Sequence, residues 1–267
     1  MTSNFCDPQH SHPHWQWSTL NECSHLRCEL LSDWPHAFFT QQYYPELPET
    51  LVQYLAPTAT VYRVNQVHGN VALTPSAIIA AHQAETLPQA DAVITETAHQ
   101  SAWVASADCT PVLIGDVATG RVSAIHSGWR GTVQRIVPET IAQFLRMGSC
   151  LFDLRLAMGP AIDGQVYQVG EDVGRQAACS IVAEPEPDVD YLQQAMKLSE
   201  PAIFRDGEVG CVRLDVRRII ELQLENLGVA SEQVAIAPCC TYQQPDYFFS
   251  YRRTKAKKVQ WSGIVSH

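Results

Sequence analysis

The sequence predicts a single domain of the α/β (α+β) class, and three observations carry that prediction. Short apolar stretches of strand character recur between Thr60 and Ala237, interleaved with amphipathic helices. No Pro/Gly/Ser-rich linker divides the 267 residues, and no repeat recurs at roughly 20–50 residues. With 46% hydrophobic and 17% charged residues, the composition is that of a globular chain with a sizeable core.

The elements follow in order. Residues 1–35 are polar, rich in His, Trp and Cys, and lack a clear period. They are expected to form an N-terminal extension, or an edge strand such as Cys28–Leu31, ahead of a domain at residues 36–267. Leu51–Leu55 reads as helical. Thr60–Val64 alternates as a strand and feeds Gln66–Val67–His68–Gly69, where glycine permits a turn. Residues 75–90 carry Ala and Ile at helix-like spacing. Ala92–Ile94 and Ala102–Ser106 read as strands, and Pro111–Asp116 as a buried one. Val117–Gly120 is a hairpin turn, and Arg121–His126 returns as a strand.

Gly128–Trp129–Arg130–Gly131 then opens a helix with Val133, Ile136, Val137, Ile141, Phe144 and Leu145 on one face. Pro138 either kinks this helix or marks its true first turn. Leu154–Met158 is a strand closed by Gly159–Pro160, and residues 184–203 form a surface excursion with a short helix. Leu214–Leu227 is an amphipathic helix stopped by Gly228. Val234–Ala237 is a strand running into Cys239 and Cys240.

Lys and Arg number 18 against 28 Asp and Glu, a net charge of −10. Such a chain repels a phosphate backbone, so nucleic acid is not an expected partner, although a local pocket can still take a small anion. No apolar run approaches the roughly 20 residues that span a bilayer. The N-terminus has no basic patch followed by an apolar stretch, as a secretory signal would. The nine cysteines are scattered and odd in number, unlike a disulfide framework. A cytoplasmic protein with reduced thiols is expected.

His68, Cys109 and His126 each end an expected strand beside a turn, where a rigid element positions a side chain and a loop exposes it. Two imidazoles and a thiolate can hold zinc and leave the fourth tetrahedral position open. Their separations of 41 and 17 residues match no local zinc motif. Two other readings stay open: a buried cysteine beside two core histidines, or Cys109 as a nucleophile with His126 as its base. Asp91 and Asp108 are expected to be structural or to orient a ligand imidazole. His10, His12 and His14 read as a polar tail able to take copper or nickel adventitiously.

The ordered set NQVHGN, ADAVITE, SADCTPVLIGD, AIHSGWRGT, MGPAI…YQVGEDV and CCTYQQPDYFFSYRR resembles the YfiH-type laccase-domain family. Its members are described as multicopper polyphenol oxidases, as zinc-dependent purine nucleoside enzymes, and as peptidoglycan editing factors. The resemblance implies mixed sheets layered with helices, and a single Zn²⁺ on His68, Cys109 and His126, with copper as the alternative metal. It implies phosphorolysis of adenosine, inosine, guanosine and methylthioadenosine, with adenosine deamination at the same site. The partners are then purine nucleosides and phosphate. The alternatives are a copper polyphenol oxidase and a non-catalytic cell-envelope factor.

Beyond the metal trio, the candidate substrate residues are Arg130 (as anion site), Gln66, Tyr167, and Ser250 with Arg252 or Arg253 on a C-terminal strand. Some positions depart from the family. Gln41 stands where members commonly carry Arg, Ala161 replaces Cys, Gln168 replaces Glu, and Lys257–Lys258 replaces a Gly-Arg element. If the family Arg holds an anion, Gln41 has lost that charge.

Overall fold

The computed structural model describes residues 13–81, 86–182, 186 and 188–267. The strands are β1 (Trp15–Leu20), β2 (Cys23–Cys28), β3 (His36–Phe39), β4 (Thr60–Tyr62), β5 (Ala72–Leu73), β6 (Ala92–Ile94), β7 (Gln100–Ser106), β8 (Thr110–Asp116), β9 (Val122–Ser127), β10 (Leu154–Met158), β11 (Gln168–Gly170), β12 (Ile203–Arg205), β13 (Cys211–Leu214), β14 (Val234–Ile236) and β15 (Gln260–Val265). The helices are α1 (Pro48–Leu55), α2 (Pro75–Ala81), α3 (Trp129–Val133), α4 (Ile136–Arg146), α5 (Glu171–Ser180), α6 (Tyr191–Ala195), α7 (Val216–Leu227) and α8 (Tyr251–Thr254).

One six-stranded sheet runs β1-β2-β3-β15-β7-β4, a second runs β14-β10-β8-β9-β6-β5, and β11-β13-β12 form a small third. Side-chain alternation makes the layers, because successive residues of a strand point to opposite faces. Leu113 of β8 meets Phe38, Ala102 and Val104 between the two large sheets. Its neighbours Val112 and Ile114 face Val137 and Ile141 of α4 and Ile219 and Ile220 of α7. On the outer face of the first sheet, Ala37, Phe39, Trp103 and Val265 pack against Leu51 and Val52 of α1. Because both faces of each large sheet are covered, the central strands read as continuous apolar runs rather than alternating ones.

Several local expectations are corrected. Glu29–Leu31 is a 3-10 turn, and the edge strand is β1, upstream in the β1–β2 hairpin, which pairs from Trp15↔Cys28 to Leu20↔Cys23. The GWRG helix breaks in two at Arg135, whose φ of 63° is left-handed, so Pro138 falls in the first turn of α4. Leu145 is 43% exposed, off the buried face of that helix. The C-terminal FFSYRR segment is no strand: Ser250 caps α8 by accepting a hydrogen bond from the Arg253 N–H. Among the described residues seven cysteines are free and Cys239 is disulfide-bonded, against the expectation that all thiols are reduced. His10 and His12 lie outside the described residues. Among the described residues no helix is long and apolar enough to cross a membrane.

Candidate active site

The turn between β7 and β8 carries Cys109, and its geometry rests on Asp108. Asp108 has a left-handed φ of 94°. Its carboxylate accepts from the Thr241 hydroxyl at 2.7 Å and from the Arg252 N–H at 2.7 Å, so it is spent on holding the turn. Across the sheet, β9 delivers His126, whose Nδ1 faces Asp91 Oδ1 at 2.8 Å. That contact leaves Nε2 for a ligand. The same Asp91 carboxylate accepts the N–H groups of Val67, His68 and Gly69 at 3.1, 2.9 and 2.7 Å, fixing the loop on which His68 sits. Asp91 is fully buried. One carboxylate thus orients both histidines.

The ligand atoms of His68, Cys109 and His126 lie within 4.8 Å of one another. The His68 and His126 rings meet edge to face, with centroids 4.8 Å apart. Gly128 makes that approach possible. A Cβ there would stand 2.8 Å from Cys109 Sγ and 3.1 Å from His68 Cδ2. Burial raises the Asp91 pKa, but the donors from His126, Gly69 and His68 outweigh it and hold the carboxyl below its usual range. Burial likewise opposes charge on Cys109, yet the neighbouring His126 and His68 bring its thiol down. His126 is held up in turn by Cys109 and Asp91, despite its burial. The donor set of two imidazoles and an acidified thiol suits a borderline-soft divalent ion.

The trio opens onto a cleft of about 810 Å³. Its walls include Arg63, Asn65, Gln66, Ser106, Tyr251, Lys257, Lys258 and Trp261. Gln66 lines it with both ends of its amide committed, donating to Ala105 O and accepting from Ala105 N, each at 2.8 Å. Tyr167 does not line the cleft but stands beside Cys109, with the Arg252 guanidinium 4.9 Å over its ring. Burial first, then the charges of Cys109 and Asp108, push its phenol up to about 12. It therefore stays protonated as a neutral donor.

Other expected substrate residues are placed elsewhere. Arg130 is exposed, its guanidinium 4.5 Å over the Trp129 ring, and it does not line the cleft. Arg253 donates to the carbonyls of Thr241, Tyr242 and Phe248, bracing the loop before α8. Ser250 is buried as the cap of that helix. Gln41 donates its side-chain amide to Pro245 O at 2.5 Å and is likewise outside the cleft lining. Sequence reasoning missed Arg63, Tyr251 and Trp261 as cleft residues. They fall outside the quoted motifs or at their ends; the pairing of β4 and β15 with β7 brings Arg63 and Trp261 together, and Tyr251 comes from α8.

The chain belongs to the family described as multi-copper polyphenol oxidoreductase laccase, whose model matches residues 48–265. A Synechocystis protein named purine nucleoside phosphorylase slr1573 is 52% identical over 260 residues, covering 95% of this chain and 97% of its own. One from Bacteroides thetaiotaomicron, named purine nucleoside phosphorylase, is 33% identical over 185 residues, covering 68% of this chain and 63% of its own. The fold is that of YlmD from Geobacillus stearothermophilus, with a TM-score of 0.75 at 22% identity, covering 94% of this chain and 98% of that one. Bacillus licheniformis YfiH gives a TM-score of 0.74 at 22% identity, over 93% and 98% of the two chains.

Proposed function

We propose that this protein is a zinc-dependent purine nucleoside phosphorylase of the cytoplasm, with its catalytic domain at residues 36–267 and adenosine deamination at the same site. The observation that carries the reading is the position of the His68–Cys109–His126 cluster on the wall of a cleft sized for a nucleoside. Support comes from the 52% identity to a protein named for that activity.

His68, Cys109 and His126 would hold the ion, and Gly128 leaves the room that lets them converge. Bound there, zinc would supply a Lewis acid. Asp91 orients the His126 imidazole and anchors the backbone of the loop that carries His68. Trp261 and Tyr251 offer flat faces to a purine, and Gln66 stiffens the wall by clamping the end of β7. Tyr167 stands ready as a neutral hydrogen-bond donor beside Cys109. In phosphorolysis a phosphate oxygen bonds to C1′ of the ribose as the bond from C1′ to the purine breaks, and the base leaves with the proton that the phosphate gives up. In deamination water replaces the exocyclic amine, which leaves as ammonia.

A copper polyphenol oxidase is the second reading, because the matching family is described in those words. Against it, the cluster among the described residues gathers two imidazoles, whereas a multicopper centre needs many more. The test is chromatography of adenosine incubated with the zinc-analysed protein, with and without phosphate, beside Cys109→Ala. Adenine formed only with phosphate, and absent in the variant, supports phosphorolysis; inosine formed without phosphate supports deamination. Unchanged adenosine, inosine and guanosine in every arm overturn the reading.

A further inference from the structure

The chain carries a net charge of −10, yet the cleft beside the metal cluster has the opposite character. Among the described residues that line it there is no carboxylate, while Arg63, Lys257 and Lys258 all do. A cluster of one sign against the global charge needs a cause, since like charges gathered on one wall repel. Among the described residues no carboxylate within the cleft lining pairs with the three. Arg63 is ion-paired from outside the lining with Glu49, whose carboxylate takes its Nε at 3.0 Å and offsets part of its charge. Lys258 rests its ammonium 5.0 Å over the Tyr44 ring, a contact that leaves the charge uncompensated. Lys257 is exposed.

Ser106 adds an independent observation. It lines the same cleft, is 3% exposed, and its hydroxyl has no hydrogen-bond partner among the described residues. Buried hydroxyls are normally partnered, so this one has capacity left for a ligand. Of the expected anion positions, Gln41 carries no charge and donates to Pro245 O, and Arg130 stacks over Trp129 outside the cleft lining.

We infer that Arg63, Lys257 and Lys258, with the Ser106 hydroxyl, seat the inorganic phosphate co-substrate in the cleft beside the metal cluster. The inference rests on the phosphorylase reading for its occupant and deepens it. Cations on a mobile-ended stem suit a tetrahedral dianion, which takes hydrogen bonds from several directions. The arrangement also answers the missing charge at Gln41. Positive charge is supplied instead by Lys257 and Lys258, which precede β15, and by Arg63, which follows β4.

The test is a calorimetric titration of the zinc-loaded protein with inorganic phosphate, run beside Lys257→Gln/Lys258→Gln, Arg63→Gln and Ser106→Ala, with Arg130→Ala as control. Adenosine 5′-monophosphate is titrated in parallel. Phosphate affinity is expected to fall at least about tenfold for each charge removed, less for Ser106→Ala, and not at all for Arg130→Ala. In turnover the KM for phosphate should rise while the KM for adenosine holds. Phosphate binding that the lysine and arginine variants leave unchanged overturns the seat, as does binding of the nucleotide but not of free phosphate. If phosphate binds and weakens as expected but no nucleoside is cleaved, the seat stands and the phosphorylase reading fails. If nucleosides are cleaved with an unaltered KM for phosphate in the variants, the reading stands and the seat fails.

Discussion

His126 Nδ1 meets Asp91 Oδ1 at 2.8 Å, with the two side chains only 4% and 0% exposed. The same carboxylate receives the N–H of His68. Two histidines 58 residues apart in sequence are therefore aimed by one buried group. A carboxylate behind a ligand imidazole fixes its tautomer and raises its basicity, and removing such a partner typically weakens metal binding about 10–100-fold.

Asp91→Asn is accordingly expected to lower zinc affinity by that range while Cys109 stays in place. Competition against a chelator of known affinity measures it. Equal affinity in the variant would show that Asp91 only ties down the His68 loop.

Gly128→Ala isolates the steric requirement. Gly128 has a φ of −77°, which alanine adopts freely, so no backbone strain enters. The added methyl would stand 2.8 Å from Cys109 Sγ, closer than real contacts allow. The variant should fold with its melting temperature nearly intact but lose the thiolate-to-metal absorption of the cobalt-substituted protein. A normal cobalt spectrum would mean that the three ligands do not converge in front of Gly128.

Arg253→Ala distinguishes a brace from a substrate contact. Its guanidinium serves three backbone carbonyls, and bonds from charged donors contribute about 1.5–3 kcal/mol each before partial replacement by water. A loss of about 2–4 kcal/mol in urea unfolding is expected, with poor rescue by Arg253→Lys, since an ammonium cannot reproduce the fork. Unchanged stability together with a raised KM would place Arg253 on the substrate instead.

His36 sets an acid limit. It is 1% exposed, its Nε2 accepts the Cys28 N–H at 2.9 Å, and its Nδ1 meets Trp34 O at 2.8 Å, an arrangement that needs the neutral ring. Burial brings its pKa down to about 4. The unfolded chain therefore binds a proton at this site between pH 6.5 and about 4 that the folded chain refuses, and stability falls as pH falls through that window. Each unit within it costs about 1.4 kcal/mol at most. The stability difference between the wild type and His36→Gln should shrink from pH 7 to pH 4.5 in urea titrations. A constant difference would mean that His36 is protonated in the folded protein.

What the sequence made legible follows from how local each signal is. Leu154–Met158 and Ala92–Ile94 are apolar runs bounded by turn residues, and both strands appear with those bounds. The helix ended by Gly228 was readable because a left-handed cap, here at φ 83°, selects glycine. The β1–β2 hairpin left no such trace, because Trp15–Leu20 and Cys23–Cys28 mix exposed and buried positions irregularly. The metal trio was visible only as three residues beside turns, since its convergence depends on pairings such as Pro111↔His126 that no spacing encodes. The cationic side of the cleft was harder still. Its members sit on segments brought together by β15 and β4 flanking β7.

That placement of β15 bears on how the molecule is made. The strand occupies an inner position of the first sheet, hydrogen-bonded to β3 on one side and β7 on the other. On the ribosome every other strand of that sheet emerges before it, so β3 and β7 wait with bare edges until residues 260–265 arrive. During that interval the nascent chain offers two open strand edges to any neighbour, and a nascent-chain chaperone has its clearest role there. A stop codon just upstream of Gln260 would leave the sheet permanently split into β1-β2-β3 and β7-β4 halves, removing Trp261 from the cleft at the same stroke.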